Sequence, residues 1–65
     1  MMTEAATIMF QDADSSDEAV AIVRYDADHV ALGLSLKGDG DLEVLMKKAD
    51  AKKLSDALMA ALTQQ

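Results

Sequence analysis

The stretch His29-Val30-Ala31-Leu32-Gly33-Leu34-Ser35-Leu36-Lys37 alternates large aliphatic residues with small ones. A period of two is typical of a β-strand, because successive side chains point to opposite faces of a sheet. We therefore predict a strand whose aliphatic residues, Val30, Leu32, Leu34 and Leu36, pack on a core. The opposite row is unusually small and consists of Ala31, Gly33 and Ser35.

The segments on either side of this strand are also typical of strands. Residues 19–25 are rich in β-branched and small side chains, and residues 42–47 alternate again. The Asx-rich segment 26–28 and the segment 37–41, which contains two glycines, predict the connecting turns. Residues 7–10 predict a first strand, with a helical turn starting at Glu4 as the alternative.

The C-terminal segment changes to a helical period. Between residues 49 and 63, apolar residues recur three or four positions apart, which predicts an amphipathic helix. The positions that define this apolar stripe are Leu54, Ala57, Leu58, Ala61 and Leu62. Asp50, or the residue just before it, is the expected N-cap.

Short connections make consecutive strands neighbours in a sheet. The sequence therefore predicts one α+β domain over residues 1–65, a four-stranded antiparallel meander with one C-terminal helix packed on one face (β-β-β-β-α). In such a meander the first and third turns lie at one end of the sheet.

Composition narrows the class of protein. The 65 residues are 51% hydrophobic, contain no cysteine and carry a formal net charge of −6. Such a charge disfavours direct binding to nucleic acid or to anionic membranes, and the absence of cysteine, of a signal peptide and of a long apolar run favours a soluble cytoplasmic protein. A chain this small gains apolar burial by self-association, so we expect a homodimer.

Acidic residues gather in the first and third turns. We expect them to form a strongly negative end of the sheet, with Lys37 as the only nearby cation, that binds a protein partner with a basic surface. The candidate residues are Asp12, Asp14, Asp17, Glu18, Asp39 and Asp41. The alternative is that these carboxylates only form turns and keep the chain soluble.

A second candidate surface is the face of the sheet away from the helix. Small residues there would let another chain approach closely, and a tyrosine is typical of interface centres. The residues assigned to this dimer or partner face are Ala21, Val23, Tyr25, Ala31, Gly33, Ser35 and Leu45.

Three short segments resemble catalytic, phosphate-binding or metal-binding motifs, but each lacks residues that the motif requires. Residues 12–16 begin like an EF-hand loop, but Asp17 replaces its glycine and Val23 its bidentate glutamate. The turn at residues 38–40 has too few glycines for a phosphate-binding loop, and no Lys followed by Ser or Thr comes after it. His29 beside Asp28 has no accompanying nucleophile. We expect no catalytic residues, no metal site and no cofactor.

The sequence thus favours a non-catalytic acidic protein-binding module. Its most specific form is an inhibitor that mimics nucleic-acid charge to block a nucleic-acid-handling protein, as in the counter-defence of phages and mobile elements. One alternative is a homodimeric accessory or regulatory domain that uses the outer sheet face. Another is a weak binder of divalent ions or small ligands at the acidic end.

Overall fold

The computed structural model describes residues 1–64 and contains four strands and one helix. The elements are β1 (Thr3–Gln11), β2 (Glu18–Tyr25), β3 (His29–Leu36), β4 (Gly40–Lys47) and α1 (Lys48–Leu62). The strands form one sheet in the order β1-β2-β3-β4, and every neighbouring pair is antiparallel. The predicted α+β class, the meander and the C-terminal helix are confirmed.

The first strand is longer than its sequence pattern indicated. β1 starts at Thr3 and pairs with β2 along its length, so the alternative of a helical turn starting at Glu4 is wrong. The register shifts by one residue between Glu4 and Ala6. Such a bulge interrupts the alternation of side chains, which explains why the pattern before Thr7 was weak.

The register of the sheet separates its side chains into two chemically different faces. Directly paired residues share a face, and Val23 pairs with Leu32, which pairs with Val44. These residues belong to what we call the helix-side face, because a groove there is bounded by the helix. The members of the helix-side face that have side chains are Thr3, Ala6, Ile8, Phe10, Ala19, Ala21, Val23, Tyr25, Val30, Leu32, Leu34, Leu36, Leu42, Val44 and Met46. The list contains no charged residue.

Helix α1 follows β4 without a connecting loop. Lys47 is its N-cap in an extended conformation and makes no side-chain capping hydrogen bond. The predicted N-cap was wrong, because the helix starts earlier than its apolar stripe and places Asp50 in the first turn. A carboxylate there still interacts favourably with the positive end of the helix dipole.

The helix covers only part of the sheet. It approaches β3 and β4, and within residues 1–64 it makes no close backbone approach to β1 or β2. Leu54, Leu58 and Leu62 lie on one stripe of the helix, and their exposed fractions rise from 39% to 58% to 80%. The helix therefore separates from the sheet towards its C-terminal end.

Very little of the chain is enclosed. Among the described residues only Ala19 and Ala31 are buried, at 7% and 3% exposure. The radius of gyration is 13.0 Å, whereas a compact domain of this length has about 11 Å. The expected aliphatic core is therefore not closed within one chain, although Val30, Leu32, Leu34 and Leu36 do lie together on the helix-side face.

Gly33 in β3 and Gly38 in the third turn differ in how well they tolerate a larger residue. Gly38 has φ +89°, whereas a Cβ at Gly33 would meet only ordinary contacts, the nearest at 3.8 Å. We predict that Gly38→Ala lowers the free energy of unfolding by about 1 kcal/mol, because an L-residue is strained there. Gly33→Ala should leave stability unchanged or raise it by about 0.5 kcal/mol. Denaturant unfolding of both variants checks this, and equal effects would contradict the assigned turn.

Candidate functional site

The first and third turns of the meander lie side by side at one end of the sheet. Gln11 pairs with Glu18 at the first turn, and Leu36 pairs with Gly40 at the third. The backbone N–H of Lys37 donates a hydrogen bond to the carbonyl oxygen of Glu18 at 3.0 Å and ties the two turns together. The structure therefore brings together the six predicted acidic residues, and we call this region the acidic end.

The first turn is held in shape by its own side chains. The Asp12 carboxylate accepts hydrogen bonds from the backbone N–H and the hydroxyl of Ser15, at 2.8 and 2.9 Å. The Ser15 hydroxyl oxygen in turn accepts one from the N–H of Asp17 at 3.2 Å. Ser16 adopts φ 67°, and its N–H donates to the carbonyl of Asp12. Asp12 is therefore partly a structural residue, while Asp14 and Asp17 are exposed.

The same contacts change the ionisation of Asp12. Its pKa is lowered from the ordinary value of 3.8, mainly by the backbone N–H of Ser15 and next by the Ser15 hydroxyl. Both groups donate to the charged carboxylate and so favour it over the neutral acid. The acidic end therefore keeps this charge at mildly acidic pH.

Ion pairs occur elsewhere in the molecule. Those found among residues 1–64 are Arg24–Glu43, Lys52–Asp56 and Lys53–Asp50, and the His29–Asp26 contact is ionic only when the imidazole is protonated. In this part of the chain none of the six carboxylates of the acidic end has a cationic partner within 4.0 Å. The six other acidic and five other basic residues nearly cancel, so the acidic end carries almost all of the net charge of −6.

An open hollow adjoins the acidic end. It has a volume of about 340 Å³ and is bordered by Asp12, Asp39 and Asp41, with Phe10 and Leu42 among its apolar lining residues. Carboxylates beside an apolar floor fit a long basic side chain, whose aliphatic stem packs while its charged group stays in solvent.

The opposite end of the sheet contains the single histidine. Its side-chain partner is Asp26 and not its neighbour in sequence, Asp28: the His29 ring Nδ1 lies 3.2 Å from the Asp26 carboxylate. That carboxylate also accepts hydrogen bonds from the backbone N–H groups of Asp28 and His29, at 2.8 and 2.7 Å. The pKa of Asp26 is lowered, mainly by the N–H of Asp28. These contacts stabilise the second turn, so the pair has a structural explanation.

The predicted dimer or partner face is divided between the two faces of the sheet. Ala31, Gly33, Ser35 and Leu45 do lie on the face away from the helix. The other three predicted members, Ala21, Val23 and Tyr25, lie on the helix-side face. The grouping was wrong because it assumed that odd-numbered residues of β2 and β3 share a face.

The remaining outer row is also less open than predicted. Ala31 is buried, with Arg24 and Leu45 directly beside it on the neighbouring strands. An Arg24–Glu43 ion pair at 3.4 Å crosses β3 on this face. Because charged side chains cross the small residues, this row is not a flat apolar contact surface.

Sequence and structure comparisons add no relative. No protein-family model matches the chain, and no similar curated protein or solved structure was found. Within residues 1–64 no three metal-ligating side chains are grouped so as to hold an ion. No helix in that range is long and apolar enough to cross a bilayer.

The two lowered carboxylate pKa values predict a loss of stability in acid. A folded-state pKa below the unfolded value stabilises the fold fully above the unfolded pKa, and this contribution disappears as pH falls through the folded pKa. We therefore expect Asp12 and Asp26 to titrate below 3.8 and stability to fall as they protonate. NMR titration and unfolding at pH values below about 4 measure both effects. Asp12→Asn and Asp26→Asn should each flatten the acid dependence, whereas an unchanged slope in both variants would contradict the assignment.

Proposed function

We propose that the chain is a non-catalytic acidic module that binds a basic surface of a protein partner through its acidic end. The observation that supports this most directly is the distribution of charge. Six carboxylates without a cationic partner in the described chain lie on two adjoining turns or on the strand residues next to them, while charges elsewhere nearly cancel. A field concentrated at one end attracts and orients a basic partner and accelerates its association.

The shape of the acidic end supports the same proposal. The first turn is fixed by the hydrogen bonds of Asp12 and Ser15, and the third turn is tied to Glu18 by a backbone hydrogen bond. Carboxylates on ordered turns lose less conformational entropy on binding than carboxylates on a flexible tail. The adjoining hollow adds apolar contact for the stems of lysine or arginine side chains.

A more specific form of the proposal is mimicry of nucleic-acid phosphates. A basic groove that binds DNA or RNA recognises closely spaced negative charge largely without regard to sequence. The acidic end offers such charge on a protein surface, and the same charge repels nucleic acid itself. In this form the module is an inhibitor that occupies the groove of a nucleic-acid-handling protein.

Neutralising part of the acidic end should weaken partner binding. The variant Asp14→Asn, Asp17→Asn, Asp41→Asn removes three exposed carboxylates and spares Asp12, which shapes the turn. The matched control is Asp28→Asn, Asp50→Asn, Asp56→Asn, which changes the net charge equally at other places. A partner is first isolated from the native host on immobilised wild-type protein and eluted by salt, and its affinity for the three forms is then measured by calorimetry.

We expect the acidic-end variant to lose at least about tenfold in affinity and the control to lose much less. Wild-type binding should weaken steeply as salt rises, because exposed charges are screened. Equal losses in the two triple variants, or binding that does not respond to salt, would rule out the acidic end as the binding site.

The mimicry form makes a separate prediction. If the partner binds DNA or RNA, the wild-type chain should displace a labelled oligonucleotide from it in a fluorescence anisotropy competition, because both occupy the same basic groove. The acidic-end variant should displace the oligonucleotide only at a much higher concentration. Simultaneous binding of the chain and the oligonucleotide would exclude mimicry while leaving binding through the acidic end intact.

A further inference from the structure

The helix-side face is apolar, uncharged and largely exposed. Ile8, Leu34, Leu42 and Val44 on this face each expose 45% of their surface or more. A helix about 10 Å wide covers roughly two strands spaced about 4.8 Å apart. The single helix approaches only β3 and β4 within residues 1–64, and even on those strands Leu34, Leu42 and Val44 stay exposed. The β1–β2 half of the face and part of the β3–β4 half are therefore uncovered.

The excess surface has the size of a subunit interface. The chain exposes 5292 Å², whereas the scaling for monomeric proteins of this mass gives about 4,000 Å². Removing the difference of roughly 1,300 Å² from each of two chains would bury about 2,600 Å² in total, which lies in the range of obligate homodimers, about 2,000 to 5,000 Å².

We infer that a second copy of this chain covers the helix-side face in a two-fold symmetric dimer. The exposed C-terminal part of the stripe on α1, which includes Leu58 and Leu62, packs against the open β1–β2 half of the partner's sheet. The groove between sheet and helix, with a volume of about 450 Å³ and lined by Val23, Leu32 and Met46 among others, becomes part of the joint core.

The distribution of charge favours a second copy over a charged partner. Two chains of net charge −6 repel each other unless their charges lie away from the contact. The charged side chains of the sheet lie on the outer face or in the turns. Arg24 and Glu43, for example, lie on the outer face. A face without charge offers nothing to select a basic protein, whereas a two-fold dimer needs only self-complementary apolar surface. This inference does not depend on the function proposed for the acidic end.

Two adjacent residues of β1 provide a matched test. Ile8 and Met9 are 53% and 75% exposed and point to opposite faces of the same edge strand, so a single chain should tolerate glutamate at either position. Sedimentation equilibrium of the wild type should give twice the mass of 6.9 kDa. Ile8→Glu should weaken the dimer at least about tenfold, and Met9→Glu should leave it unchanged.

The results for the wild type and the two variants decide whether a second copy covers the helix-side face. If Ile8→Glu fails to fold while Met9→Glu folds and dimerises, the inference is supported, because a side chain exposed in one chain becomes essential only when a second chain covers it. A wild-type monomer up to about 100 µM, where an obligate dimer is fully assembled, would overturn it. A dimer that is weakened by Met9→Glu and not by Ile8→Glu would place the contact on the outer face and would also overturn it.

Discussion

The pairing of Val23 with Leu32 and of Leu32 with Val44 is the constraint on which the rest of the structure depends. This register places the large aliphatic side chains of β3 on the helix-side face, together with Val23 of β2 and with Leu42 and Val44 of β4. Because β4 passes into α1 without a loop, the helix has no linker with which to cross the sheet. It begins over β3 and β4 and then separates from the sheet. The apolar face is therefore formed by one chain but not closed by it.

The same register keeps charged side chains off the helix-side face. The charged side chains lie on the outer face, where Arg24 and Glu43 pair across β3, or in the turns. The antiparallel meander then places the first and third turns together, so unpaired carboxylates accumulate at one end. A dimer formed through the uncharged face leaves the turns of both copies in solvent. The two proposed contacts thus use largely different surfaces of one molecule, which meet at the hollow beside the acidic end, where Phe10 and Leu42 lie.

The sequence predicted the fold class, the strand order and the acidic end because these follow from local periods and short connections. Assigning residues to the two faces of the sheet required the register as well. Alternation shows that Val23 and Ala31 each lie on one side of a strand, but only the register of β2 on β3 shows that their sides differ. The start of β1 was missed because a bulge interrupts its alternation, and Asp26 was missed as the partner of His29 because turn geometry brings it there. The spacing of the helical stripe could not reveal that α1 leaves the sheet.

The most direct test of this account is the dependence of thermal unfolding on chain concentration. If the apolar face is closed only by a second copy, folding and association are linked, and the unfolding midpoint rises as concentration increases over about two orders of magnitude. Circular dichroism at the backbone wavelengths follows this transition without labels. A midpoint that stays constant over that range would show that one chain is stable alone with its helix-side face in water, and would contradict the account.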